Sequence, residues 1–327
     1  MKRSNFWTNT FLAAATAAGA LISTQPAQAQ QWPTRVVRFI VPFAPGAGAD
    51  IGARLAADKL QKYWPQGAIV ENRPGGDSLI AIRQVISAQD DHMLLFGPSG
   101  NFTPHPYRHD KLGYDRPTEL LPIARFSNTL IGLAIASSLG VNTLKEFVEK
   151  AKAAPGKMNV VVVPGITEFV WDGFAKTVGV NIVKVPYTNL VQGATDMGTD
   201  RVQASMSSLA ILQPAMQSGV AKLIVVTGSE RVKIFPDVPT SMEAGFPSLE
   251  LEGLVGAFGP KIMSLELRRR IAKDIVAVAS DPEIAAKLAA TGQSPNPAGA
   301  DEFTAAIEKQ EAQVAAIAKV MGLPRKD

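Results

Sequence analysis

The chain has 327 residues, 46% of them hydrophobic and 19% charged, with 33 Lys+Arg, 29 Asp+Glu and no cysteine. This length suggests about two domains, and the apolar content excludes an intrinsically disordered chain. The lack of cysteine excludes disulfides, thiolate metal sites and a cysteine nucleophile, and a net charge of +4 is too small to point to nucleic acid.

The chain opens with Lys2 and Arg3, an apolar Ala-rich stretch over 11–22, and the small-x-small sequence Ala27-Gln28-Ala29. This is the layout of a secretory signal peptide, too short in its apolar part to span a bilayer. Cleavage after Ala29 is expected to leave 31 basic residues against 29 acidic ones. No later apolar segment is long enough for a membrane span, so a soluble exported protein is expected.

The stretch 35–41 reads as a buried strand and ends in the Gly/Pro-rich loop 42–50. A helix with Ile51, Leu55 and Leu60 on one side follows. Strand 68–70 ends at Asn72-Arg73-Pro74-Gly75-Gly76, helix 80–86 comes next, and strand 93–96 ends at Gly97-Pro98-Ser99-Gly100. The middle repeats this alternation: helix 143–153, strand 157–163, helix 169–177, strand 182–185, a helix from 193 and strand 222–226. Three helices close the chain, over 265–279, 282–290 and 300–321, with Asp281-Pro282 fitting a cap followed by proline. Alternating strands and helices predict parallel sheets whose ligands sit outside the C-terminal strand ends.

Known catalytic patterns are incomplete. His92, His105 and His109 are the only histidines, and Pro104 and Pro106 argue against a helix that would align the last two. Loop or surface positions are expected for all three, with no zinc site. Gly97-Pro98-Ser99-Gly100 fails as a nucleophile elbow because Asn101 stands where the second glycine belongs. Gly46-Ala47-Gly48 fails as a dinucleotide fingerprint because Ile51 replaces the third glycine. No cofactor is expected. An exported α/β enzyme with an active site between two lobes is the competing reading.

The loops themselves suggest binding. A glycine-rich strand-to-helix loop presents unpaired N–H groups that attract an anion. Gly46–Asp50 is one such loop, with Asp50 expected as the helix cap. Ser99-Gly100-Asn101 and Gly165-Ile166-Thr167 are two more. Phe43, Phe102, Phe169, Trp171 and Tyr187 either wall a cleft or pack in the core.

Six motifs in order then carry a resemblance over 32–323. They are Ile40-Val41-Pro42-Phe43-Ala44-Pro45-Gly46-Ala47-Gly48-Ala49-Asp50-Ile51, Glu71-Asn72-Arg73-Pro74-Gly75, Tyr114-Asp115 with Leu121-Pro122-Ile123-Ala124, Val185-Pro186-Tyr187, Phe235-Pro236-Asp237-Val238-Pro239-Thr240, and Glu243-Ala244-Gly245. The chain resembles the substrate-binding proteins of tripartite tricarboxylate transporters, the Bug type of bacterial periplasmic receptor. The resemblance implies a periplasmic binding protein of type II, with two Rossmann-like α/β lobes and a hinged cleft. The first lobe would comprise 30–128 and 253–327, the second 129–252. It implies a monomer that closes on a small carboxylate, either a dicarboxylate or an aromatic acid such as terephthalate, and delivers it to membrane subunits. Carried over by motif, the first-lobe contacts would be Phe43, Ala44, Gly46, Asp50, Arg73 and Ser99, beside Asn101 from the loop reading. The second-lobe contacts would be Thr167, Glu168, Pro186 and Tyr187.

The sequence departs from the family pattern at Gly75-Gly76-Asp77-Ser78, where Gly-Ala-Gly-Gly is common, and at Asp90-Asp91-His92. It departs again at Thr167-Glu168, Thr188-Asn189-Leu190 and Leu254. Glu168 either pairs with a ligand amino or ring-nitrogen group or faces solvent.

Overall fold

A computed structural model describes residues 32–187 and 189–326; the signal-peptide reading and Thr188 lie outside them. The described residues form two sheets. The first has the order β11-β4-β10-β3-β1-β2 and the second β7-β6-β8-β5-β9.

The chain builds β1 (Val37–Val41), α1 (Gly48–Leu60), β2 (Ala68–Asn72), α2 (Leu79–Ala88), β3 (Met93–Pro98), the single turns α3 (His105–Arg108) and α4 (Arg116–Glu119), and β4 (Leu120–Thr129). It then crosses directly into the second sheet with β5 (Ile131–Ala136), α5 (Leu144–Ala153), β6 (Asn159–Val162), α6 (Ile166–Val178), β7 (Val183–Lys184), α7 (Leu190–Thr195), β8 (Ala204–Ser208), α8 (Leu209–Gln217) and β9 (Ala221–Val226). It returns as β10 (Gly253–Pro260), α9 (Leu265–Ala279), α10 (Pro282–Ala289), β11 (Gln293–Ala298) and α11 (Ala300–Met321).

The sheets are mixed, not wholly parallel as the alternation predicts. β1 pairs in parallel with β2 and β3, but β10 is antiparallel to both β3 and β4, and β5 is antiparallel to β8 and β9. The reason is the crossover. A strand that enters the next sheet without a helix has no right-handed βαβ path back, so the return strand runs the other way.

The registers place the C-terminal ends of β1, β3 and β4 at the same end of the first sheet as the start of β10. That end faces the second sheet, where β6 and β8 finish and β5 begins. The seam between the lobes therefore collects the Gly/Pro-rich loops.

Each lobe has its own core. Phe39, Trp64, Phe96, Phe126 and Ile275 pack together in the first, and Phe147, Trp171, Phe174 and Met206 in the second. α11 serves both. Phe303 and Ile307 pack with Ile82 and Phe258 of the first lobe, while Val314, Ile317 and Ala318 pack with Phe174 and Leu133 of the second. No helix of the described residues is long and apolar enough to cross a membrane.

Candidate functional site

The first-lobe loop starts at Pro42, against which Gly97 is packed so closely that a Cβ there would sit 3.2 Å from its ring. Ala44, Pro45 and Gly46 are exposed, and Gly46 has φ +88°, a conformation that favours glycine. α1 then begins with Ala47 as its N-cap and no side-chain cap. Asp50 is not the cap that the sequence suggests. It is the third helical residue, 1% exposed, and its carboxylate reaches back to accept from the Gly46 N–H at 2.8 Å. Asn72 Nδ2 donates to Asp50 Oδ1 at 2.8 Å and to the Phe43 carbonyl at 2.9 Å. Arg54 Nε donates to Asp50 Oδ2 at 3.0 Å and Arg54 NH2 to Asn72 Oδ1 at 3.0 Å. Burial opposes ionisation of Asp50, but the bonds from Arg54, the Gly46 amide and Asn72 outweigh it and hold the carboxyl below its ordinary range. This network joins the first two motifs: Asn72 is the residue of Glu71-Asn72-Arg73-Pro74-Gly75 that orders the Phe43–Asp50 loop.

Arg73 lies apart. Its guanidinium is about half exposed and is held by Gln84 at 3.1 Å and Glu71 at 3.4 Å.

Ser99 is completely buried, and its Oγ donates to Gln310 Oε1 at 2.6 Å. Asn101 Nδ2 donates to Ser78 Oγ at 2.7 Å. Ser78 and Asp77 have φ of +69° and +52°, following Gly75 and Gly76 at +107° and +59°. Four successive left-handed residues explain why glycine suits this turn. Here Asp77 and Ser78 occupy it at a cost offset by side-chain bonds.

Those bonds involve the histidines. His105 Nε2 lies 3.0 Å from the Asp77 carbonyl and Nδ1 lies 2.8 Å from Tyr114 Oη. A carbonyl only accepts, so Nε2 carries the proton and Nδ1 accepts from Tyr114, whose phenol burial keeps protonated. Burial lowers His105 to about 4. The loop and surface reading of the histidines is therefore corrected: His105 is buried, His92 is 4% exposed, and residues 105–108 do form a helical turn, with Pro106 in its permitted first positions. Asp77, His105 and His109 are grouped as metal ligands would be, but both His105 nitrogens are already committed.

The second lobe meets these loops directly. A Cβ on Gly100 would fall 2.3 Å from Ile166 Cγ2, and one on Gly165 would lie 3.8 Å from the Gly100 carbonyl. Tyr107 and Phe169 approach with ring centroids 6.2 Å apart. Thr167, in the uncapped first turn of α6, is buried. Glu168 is held by Lys184 at 2.8 Å and faces Arg108 of the first lobe at 3.9 Å. It is thus neither freely solvated nor a lone inward acid. Pro186 is exposed, and the half-buried Tyr187 packs over Gly193 and donates its hydroxyl to Asp196 at 2.7 Å. Phe102, Phe169 and Trp171 are core residues rather than cleft walls, at 1%, 5% and 1% exposure.

A cavity of about 720 Å³ lies along the same seam on its crossover side, towards the β11 and β9 edges, with Asn128, Ile131, Ser229, Lys233 and Glu252 in its lining. Sequence reasoning missed the roles of Asn72, Arg54, Arg108 and Gln310; Asn72 stands in a recognisable motif, while the other three carry no signature until the fold brings them to a partner.

A family model described as the tripartite tricarboxylate transporter family receptor matches residues 52–323. A UPF0065 protein of Bordetella bronchiseptica is 27% identical over 297 residues, covering 89% of this chain and 86% of its own. The solved periplasmic binding protein BugD is 25% identical with a TM-score of 0.73, covering 89% of this chain and 99% of its own. An R. palustris protein determined with adipate shares the fold at 24% identity and a TM-score of 0.75, with coverage of 89% and 99%.

Proposed function

The chain belongs to the tripartite tricarboxylate transporter family of receptors, and on that premise we propose that it captures a small carboxylate between its lobes and delivers it to the membrane subunits of such a transporter. It is a periplasmic solute-binding receptor and not an enzyme. The export signal is read as cleaved after Ala29, and the lobes as 30–128 with 253–327, and 129–252.

One observation carries the reading. The Gly100 loop of one lobe rests against the start of α6 in the other, and α1, α6 and α8 all begin without a side-chain cap. Backbone N–H groups at such helix starts attract a carboxylate without a side-chain charge. In the proposed site, Phe43, Ala44, Gly46, Ser99 and Asn101 form the first-lobe surface, with Asp50 fixing the loop from behind. Thr167, Glu168, Pro186 and Tyr187 face the other end of the ligand. Arg73 stands at the edge, paired with Glu71. The adipate-bound relative supports an aliphatic dicarboxylate ahead of an aromatic acid.

A thermal-shift series on mature protein with adipate, shorter dicarboxylates, terephthalate and tricarboxylates tests this. At about 100 times Kd, binding adds roughly 2.7 kcal/mol to the folded state, which raises the melting temperature by a few degrees. If no carboxylate raises it while a nucleotide or sugar does, the proposal fails.

A further inference from the structure

α11 is one unbroken helix seated in two cores, so the lobes are joined by three segments rather than by the two crossovers alone. Gln310 lies at the point on α11 where it passes from one core to the other, after Phe303 and Ile307 and before Val314 and Ile317. It is 3% exposed. A buried polar side chain in the middle of an otherwise apolar helix face is costly unless its bonds are made.

Gln310 makes them in two directions. Its Oε1 accepts from Ser99 Oγ at 2.6 Å and from Thr103 Oγ1 at 3.2 Å. Its Nε2 donates to the carbonyl of Glu252 at 2.9 Å. Ser99 opens the loop whose next residue, Gly100, rests on Ile166 of the second lobe. Glu252 sits in the returning crossover, one residue before β10, and its carboxylate accepts from Asn128 at the end of β4 and from Ser229 after β9. A single amide thus ties the seam loop to the crossover and to the shared helix. One turn further on, Gln313 donates to the Glu250 carbonyl but reaches no seam loop.

We infer that Gln310 is the positioning residue of the hinge: it holds the Ser99–Asn101 loop at the height at which the second lobe meets it, and so sets ligand affinity without touching ligand. This rests on the proposed closure between lobes. Without the amide, the loop keeps its strand but loses its tie to the crossover, and the angle between the lobes is no longer fixed. Networks of this kind couple over distance because the bonds share one buried group.

The chain's lack of cysteine allows a direct test, since Lys62→Cys in the first lobe and Lys152→Cys in the second introduce the only two thiols. Spin labels on both report the distance between lobes by pulsed electron paramagnetic resonance, with no ligand present. In the labelled parent a narrow distribution is expected. Gln310→Met, checked for folding by circular dichroism, is expected to broaden it toward longer distances. Ser99→Ala with Thr103→Val should do the same while leaving the bond to Glu252 intact. Gln313→Met should leave the distribution narrow. With adipate as the probe, Gln310→Met is expected to weaken binding about tenfold, mainly through faster release. An unchanged distribution for Gln310→Met, or an equal change for Gln313→Met, overturns the inference. If adipate and the other carboxylates leave the labelled parent unchanged, the function proposed above is what fails, because the ligand-free distances test Gln310 on their own.

Discussion

The two lobes meet the same seam by different means. On the first, the polar side chains that brace the leading loops are paired: Asp50 binds Gly46, Asn72 and Arg54, and Ser99 binds Gln310. On the second, the buried hydroxyls of Ser205 and Ser207 have no partner among the described residues, and Glu168 is held only by ion pairs. A lobe whose loops are braced from within presents the same backbone to every ligand. A lobe with unspent hydroxyls and a half-exposed acid can change what it recognises through one or two substitutions. On the function proposed above, the constant end of the ligand, its carboxylate, would fall to the first lobe and selectivity to the second.

Four experiments break or sharpen this contrast. Asp50→Ala removes a buried carboxylate and strands the Gly46 amide and Asn72, so about 3 kcal/mol of stability should be lost in urea unfolding. A loss below 1 kcal/mol would mean the first-lobe brace is not structural. Gly100→Ala puts a methyl into Ile166, close to that residue's backbone, where it cannot swing aside. Overpacking of this kind costs about 2 kcal/mol in the arrangement that brings the lobes together, so affinity should fall by up to roughly thirtyfold. Ile166→Ala in the same chain should restore part of the loss.

The third experiment is a pH series. His105 is held neutral by burial, with its pKa lowered to about 4. Between that value and the unfolded value near 6.5 the unfolded chain binds the extra proton, so stability falls as pH drops through this window. The loss should be on the order of 1–2 kcal/mol, and His105→Gln should flatten the profile there. A profile unchanged by that substitution would show that the turn at Asp77 does not depend on the imidazole. The smallest effect is expected at the rim. Arg108 and Glu168 are 3.9 Å apart and partly solvated, so Glu168→Gln should alter affinity by less than about fivefold. The share of that change that comes from the Arg108 pair should vanish at high salt; full persistence in about 1 M NaCl would show that the pair between the lobes contributes nothing.

Much of the first lobe is legible in the chain. The apolar runs at 37–41 and 93–96 announce buried strands, and the loops after them stand where strand C-termini belong. β11 is not legible, because Gln-Ser-Pro-Asn-Pro-Ala has no strand character; it survives as an edge strand whose prolines need no partner on the open side. β8, with three serines in five residues, is hidden in the same way, since Ser205 and Ser207 are buried by neighbours from distant sequence. α3 defies its prolines because a single turn asks for no amide at its first positions. The site is legible as loops but not as partners. Asn72 and Gln310 bond across 22 and 211 residues of chain to Asp50 and Ser99, a pairing that no local pattern records.

The placement of β10 has a consequence for how the protein comes into being. This strand lies between β3 and β4, which precede it by more than a hundred residues and do not touch each other without it. As the chain emerges N-terminus first, the first lobe stays in two pieces while the second is being completed. The second in turn waits for Val314 and Ile317 at the far end of α11. The core of each lobe is thus completed only by residues of α11. Such late, long-range closure also makes for slow refolding once the protein has been unfolded.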